Sequence, residues 1–365
     1  MDRLQTQGVI PPSAVPRKYA RLKNGAKNIL AMAFGVSLAF VIAEIALSFF
    51  FPPPPKFRYP QPRHLRDPEL GWVMTPNQTS FTIGQVVTVN DMGFRSDEIS
   101  GEKPDGGLRI ICLGDSQTFG NGVAQPDVYP AQLEAILESR LESPVEVINT
   151  GVQAYDTLQE VRLLERHAGA LNPDIVTLGF YINDIFEARG KNRSEAVGAG
   201  GEMKRHGLKR FTPYRLIYLV KRSRVMILVL ERLSRSKQSD KYAEILAGRT
   251  PTFLEESWAV IEQNLAAARD LAKAQGFRLI VFPIPAAPEF LQNGPDEAYR
   301  SRFIALANRL GIEHFDPTPA LKASGGSFEE NFIAWDGHIN ATSHRFIAES
   351  LAREILRPEH DSLEQ

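Results

Sequence analysis

Hydrophobic and polar residues follow four patterns along this chain, and each predicts a different kind of element. From Ile29 to Phe51 the sequence ILAMAFGVSLAFVIAEIALSFFF is apolar on every side, with Glu44 as its single acidic residue. About 20 such residues are enough to cross a bilayer as a helix, so a membrane span is predicted over 29–51. Pro52 to Pro55 follow. Consecutive prolines lack amide donors and favour extended polyproline geometry, which ends the helix and makes a stiff spacer. The second pattern, DPELGWVMTPNQTSFTIGQVVTVNDMGFRSDE, alternates apolar and polar positions through Phe81, Ile83, Val87 and Val89 between glycine and asparagine punctuation. It predicts the short strands of an accessory hairpin, in a preface over 52–107.

From Arg109 the pattern changes again. Runs that are apolar throughout alternate with amphipathic stretches: RIICLG, Tyr129 to Leu141, VEVINTG, Thr157 to His167, and DIVTLGFYIND. Such alternation predicts a parallel sheet covered on both faces. It resumes with Trp258, Ile261, Leu265 and Leu271 at helical spacing, closed by Gly276, then the strand FRLIVFPIP and a short last strand in IEHFDPTP. Asn340 is placed to cap a final helix whose buried face is Phe346, Ile347, Leu351 and Ile355. The α/β unit thus extends over 108–365, interrupted by a fourth pattern at about 189–250. There a dozen Lys and Arg residues from Lys204 to Lys241 face only Glu231 and Asp240, while Leu216, Ile217, Val220, Ile227 and Leu230 give an apolar side. Lys221, Arg222 and Arg224 rule out a second span. A basic helical pair over 204–241 fits a solvated cap, a lid, or a contact with anionic headgroups.

Charge refines this picture in two places. Across 365 residues, 42 Lys and Arg oppose 43 Asp and Glu, a balance that excludes nucleic acid as the general partner. Locally, Arg3, Arg17, Lys18, Arg21, Lys23 and Lys27 precede the span with only Asp2 opposing. The positive-inside bias then puts a basic tail, 1–28, in the cytoplasm and the bulk of the chain outside, as a single-pass protein of the inner membrane. Ala46 and Ser48 offer a weak small-x-small site, but the apolar block exceeds the ~7–15 residues usual for a cleaved signal peptide. Retained anchor is the expectation and cleaved signal the alternative. Glu44 reads as a carboxyl snorkelling to, or protonated near, the outer interface. The single cysteine, Cys112, lies in an apolar run and is expected to be a buried, inert thiol.

Candidate chemistry begins at Ser116, where RIICLGDS runs out of its strand. Ligands of open parallel sheets collect at the carboxyl ends of strands, where the chain turns and leaves backbone amides unpaired. A serine hydroxyl needs a base, an orienting acid and donors for the developing oxyanion. Candidates follow in order: Gly151 ending VINTG, Asn183 in FYIND, and Asp336 with His338 in WDGHIN. Taken singly, Ser116 is a turn residue or cap, Gly151 a tight turn, Asn183 with Asp184 a loop, and His338 a surface histidine like His64, His206 or His360. Together, at successive strand ends, they point to a catalytic set.

In this order the GDS, glycine, asparagine and histidine blocks resemble the SGNH, or GDSL, hydrolase family, from about Arg109 to Leu356. VNDMGFRS and the preceding span look like its membrane-anchored bacterial subgroup. The resemblance implies a flavodoxin-like three-layer α/β/α fold, in agreement with the pattern above. It also implies Ser116 as nucleophile, His338 as general base, Asp336 as its orienting acid, and an oxyanion hole made by the Ser116 amide, the Gly151 amide and the Asn183 side chain. Many members separate acid and histidine by two residues, whereas only Gly337 intervenes here. Asp184 is the substitute if Asp336 cannot reach the ring. Asp115 is expected to pin the turn, and Arg95 either to meet a substrate anion or to tie the preface to the domain.

No G-x-S-x-G, phosphate loop, H-E-x-x-H or paired cysteines occur, so no cofactor or metal is expected. The implied activity is hydrolysis of an O-acyl ester on an envelope or exported glycan, or on a lipid, through an acyl-serine. Acyl transfer to a sugar hydroxyl by the same residues, and a non-catalytic envelope scaffold or binding module, are the competing functions.

Overall fold

A computed structural model describes residues 17–54, 56–187, 196–198, 200–203, 220–229, 252–290 and 298–357. The first helix, α1 (Arg17–Ser48), contains a stretch, Gly25–Ser48, long and apolar enough to cross a membrane, and none of that stretch is buried in the molecule. Two antiparallel hairpins follow, β1 (His64–Asp67) with β2 (Gly71–Met74) and β3 (Gln78–Thr82) with β4 (Gln85–Val89). The alternating preface therefore forms two hairpins where one was expected. Their inward residues Trp72, Met74, Val87 and Val89 are buried in the main core.

The central sheet is built from β5 (Leu108–Gly114), which leads into the single-turn α2 (Ser116–Phe119) and then α3 (Tyr129–Glu138). Next come β6 (Val145–Asn149), α4 (Thr157–Leu171), β7 (Ile175–Phe180) and the short α5 (Asp184–Glu187). After the insertion come α6 (Thr252–Gln275), β8 (Arg278–Pro283), α7 (Ala298–Leu310) and β9 (Glu313–His314). The chain ends with α8 (Thr318–Ala323), α9 (Phe328–Asn331) and α10 (Ala341–Leu356). The five strands lie in the order β6-β5-β7-β8-β9, all parallel. This is a flavodoxin-like arrangement, whose strand order reverses between β5 and β7 and so opens a crevice at their carboxyl ends.

Strand periodicity divides the core in two. Along β5, Ile111 and Leu113 join the cluster containing Val161, Leu164, Ile261, Leu265 and Phe303, from α4, α6 and α7. Ile110 and Cys112 join the cluster on the other face with Leu133, Leu137, Ile347 and Leu351, from α3 and α10. Alternate side chains point to opposite faces, so an apolar run is what a strand buried on both sides requires. Cys112 is fully buried and its thiol is pushed up to about 12 by that burial, the inert group expected. Asn340 caps α10 as expected, its side chain accepting from the amides of Thr342 and Ser343; of the face foreseen for α10, only Phe346 is partly exposed.

Two expectations change. His64 is buried, and burial pulls its ring down to about 4, so it is no surface histidine. His206 and His360 lie outside the described residues. Glu44, read as a carboxyl snorkelling to or protonated near the interface, has partners within the molecule. It accepts hydrogen bonds from Ser223 Oγ at 2.9 Å and from the amides of Arg224 and Val225 at 2.7 and 3.2 Å, at the start of a helical run over 224–229. A carboxylate at a helix start satisfies orphan donors and complements the helix dipole. The rest of the basic segment 204–241, the basic tail up to residue 16, and most of the insertion lie outside the described residues.

Candidate active site

The turn that carries Ser116 is fixed by its neighbour Asp115. Asp115, fully buried, caps α2 by accepting from the amide of Gln117 at 2.8 Å, and its other oxygen accepts from Asn183 Nδ2 at 2.9 Å. Burial raises the Asp115 carboxyl, while the amides of Gln117 and Ser116, the His338 charge and the Asn183 amide oppose the rise. Ser116 thus starts a one-turn helix at the end of β5, beside the crevice. Arg95 locks the far side of this turn, donating to the carbonyls of Phe119, Gly120 and Val123 at 2.6–2.7 Å and to Gln125 Oε1 at 2.9 Å. The guanidinium is buried and spent on backbone, which settles its two sequence readings in favour of tying the preface to the domain.

His338 arrives from a loop rather than a strand. His338 Nε2 stands 2.8 Å from Ser116 Oγ, and His338 Nδ1 contacts Asp336 Oδ1. One intervening residue suffices because Gly337 takes φ +87°, a left-handed conformation open to glycine, which folds the carboxylate back onto the ring. The amides of Asp336 and Gly337 both donate to the Ile333 carbonyl, and the Ile333 amide to that of His338. Burial of the ring disfavours its cation, but the Asp336 charge and hydrogen bond, aided by Asp115, outweigh this and raise His338 above its usual value. Burial likewise works against the Asp336 anion, yet His338 and Lys221 hold its carboxyl below the usual range. Asp184 is not needed as a substitute. It is buried, bonds Thr157 Oγ1, and is pushed well up by burial and then by the charges of Glu160, Asp115 and Asp156.

Both remaining candidates lie against the same turn. The Asn183 amide nitrogen carries two hydrogens, so one remains after its bond to Asp115. At Gly151 a Cβ would come within 2.4 Å of the Phe119 amide nitrogen, so only glycine allows this loop to approach the nucleophile turn. Its amide, however, donates to Asn149 Oδ1 at 3.0 Å, a bond the sequence did not suggest. Asn149 in turn donates to the Thr118 carbonyl at 3.1 Å.

Three further polar residues join the site without a sequence signal of their own. Gln117 Oε1 accepts from the amide of Ile339, one residue past His338, at 3.1 Å. Asn121 Nδ2 lies 3.4 Å from His338 Nε2, and Gln153 donates to Asn121 Oδ1 at 2.6 Å. Among the described residues no group of three or more His, Cys, Asp or Glu is arranged to hold a metal ion.

Comparison with known proteins gives this geometry a family. The sequence model of the GDSL-like lipase/acylhydrolase family matches residues 112–346, more than half of the chain. No curated protein matches it. Solved structures similar to it include a putative lipolytic protein of the G-D-S-L family from Desulfitobacterium hafniense, 13% identical, with a TM-score of 0.37 over 67% of this chain and 98% of that one. An acetyl xylan esterase, AlAXEase, is 14% identical, with a TM-score of 0.39 over 68% and 100%. The lipase/acylhydrolase from Enterococcus faecalis is 15% identical, with a TM-score of 0.40 over 68% and 95%. At these scores the family assignment rests on the sequence match, which spans the Ser116, Asn183 and His338 blocks. The chain belongs to the GDSL-like lipase/acylhydrolase family and is an ester-bond hydrolase.

Proposed function

We propose that the protein is a membrane-anchored serine esterase that cleaves O-acyl esters through an acyl-enzyme on Ser116. The observation that carries this reading is the contact series from Ser116 Oγ to His338 Nε2 and from His338 Nδ1 to Asp336. In it His338 takes the hydroxyl proton as Ser116 attacks the ester carbonyl, and Asp336 holds the ring in the tautomer that leaves Nε2 free to accept. The tetrahedral oxyanion is met by the second Asn183 hydrogen and the Ser116 amide. The Gly151 amide joins them by sharing its hydrogen with, or releasing it from, Asn149 Oδ1. His338 then returns the proton to the departing alcohol, and water, activated by the same ring, releases the acid. Asn121, beside His338 Nε2, and Gln153, which donates to Asn121, suit a hydroxyl-rich leaving group, the glycan side of the substrate range.

Anchoring is supported by the apolar stretch Gly25–Ser48, by the basic residues before it, and by the contacts of Glu44. Cleavage after Ser48 would remove the acceptor at the start of the 224–229 run, so a retained helix fits better than a cleaved signal. The positive-inside bias places the N-terminus in the cytoplasm and the esterase outside the inner membrane. Acyl transfer to a sugar hydroxyl uses the same residues and differs in whether water or sugar reaches the acyl-enzyme. Labelling with a fluorophosphonate tests the nucleophile: the wild type should be modified and Ser116→Ala should not. A well-folded wild type that takes no label would overturn the reading.

A further inference from the structure

The outer end of α1 does more than lead into a spacer. The Phe51 ring packs on the indole of Trp335, with centroids 5.6 Å apart and planes tilted by 35°. Trp335 precedes Asp336 directly and holds φ +67°, a left-handed conformation unfavourable for a bulky side chain. Such a residue persists where its surroundings hold it, and Phe51 supplies one wall of them. Phe51 is itself held from the other side. Arg224 Nε lies 3.2 Å from the carbonyl oxygens of both Phe51 and Pro52, and the Arg224 amide is bonded to Glu44. The same short segment carries Lys221, whose Nζ sits 5.3 Å from the centroid of the Phe57 ring. A continuous series of contacts therefore runs from Glu44 in the apolar helix through Arg224 and Phe51 to Trp335.

We propose that the end of α1 and the turn just after it form a positioning element of the catalytic site: Phe51, fixed through Arg224 to Glu44, holds Trp335 and with it the turn that presents Asp336 to His338. This role rests on the reading of Ser116, His338 and Asp336 as the catalytic set. It makes the membrane helix a working part of the esterase rather than a tether. Once the helix ends or the segment around Arg224 is displaced, Trp335 relaxes toward ordinary backbone geometry and the Asp336 carboxylate swings off the ring. The charges facing His338 are Asp336 and Asp115, and Lys221 acts on Asp336. Loss of the Asp336 contact therefore lowers the pH at which the ring becomes protonated.

The test uses the full-length protein in detergent micelles and a short, water-soluble aryl ester. Phe51→Ala is expected to reduce kcat about tenfold with KM within about twofold, as misplacement of a catalytic group does, and to move the acid limb of the pH profile to lower pH. Phe51→Tyr should restore both, and Glu44→Gln should shift both in the same direction as Phe51→Ala. Leu38→Ala, on the exposed side of α1, should leave both unchanged. If Phe51→Ala does not fold, Arg224→Gln, which leaves both rings in place, is judged by the same two readouts. Wild-type kcat and pH profile in all the folded variants would overturn the positioning role while leaving the esterase intact. Absence of turnover and of fluorophosphonate labelling in the wild type would instead remove the proposed function, and this role with it.

Discussion

The two halves of the site are held in contrasting ways. Ser116, Asn149, Gly151 and Asn183 sit at or just past the ends of β5, β6 and β7; Asp115 ties the Ser116 turn to Asn183, Arg95 holds the carbonyls of Phe119 and Gly120, and Asn149 bonds both Gly151 and Thr118. The half that carries Asp336 and His338 belongs to no strand. It is a loop with two left-handed residues, Trp335 and Gly337, braced by its own backbone bonds around Ile333, by Gln117 beside Ser116 and by Phe51. The sheet thus gives the proposed nucleophile and donors a rigid setting, while the proposed base depends in part on contacts made by side chains far away in sequence. Preorganisation of this kind is the largest single contribution in many enzymes, and here one half receives it from the fold itself and the other from its periphery.

This contrast orders the expected effects of substitution. Asp336→Asn strikes the loop half at its chemical centre and should lower kcat by about 10³–10⁴. It should also move the acid limb. In the proposed mechanism the neutral ring is the base, so activity falls as pH drops through the His338 pKa, which Asp336 raises; without the carboxylate that midpoint shifts downward. Asn183→Ala removes one donor from the strand-end half and should cost about 10²–10³ in kcat with little change in the pH profile, as single-turnover rates across pH would show. A matching downward shift there would break the distinction between the halves.

Weaker effects sharpen it. Arg95→Ala leaves the carbonyls of Phe119, Gly120 and Val123 without their donor, and should reduce stability by about 3 kcal/mol in denaturant unfolding. Gln117→Ala removes the bond to the Ile339 amide, worth about 1 kcal/mol, and should slow turnover severalfold while lowering the melting temperature by only about 2–4 °C. The reverse outcome, a larger stability loss without a rate effect, would place Gln117 in the scaffold and not in the support of the base.

The contrast also explains what could be read without coordinates. Strands β5 to β8 were legible because a strand covered on both faces must be apolar throughout, and Asn340 because a cap needs a short polar side chain at one position. Ser116 and Asn183 were legible as strand ends, and His338 through the order of the blocks. The α7 helix, Ala298–Leu310, was not foreseen, although Phe303, Leu306 and Ala307 face the core. Contacts between distant segments leave no periodic trace: nothing at Phe51 announces Trp335, nothing at Glu44 announces Arg224, and the bond between Gly151 and Asn149 depends on a turn geometry that one sequence does not display. The short acid-to-histidine spacing looked like a weakness and is resolved by the backbone of Gly337, a conformational property rather than a chemical one.

The most direct measurement is to quench the enzyme in acid during turnover of an activated ester and map the acylated peptide by mass spectrometry. The expected result is an acyl group on Ser116 that accumulates in the wild type, persists longer in the Asp336→Asn variant, and is absent from Ser116→Ala. Acylation of another residue, with Ser116→Ala still turning over, would contradict the assignment of this serine as the nucleophile.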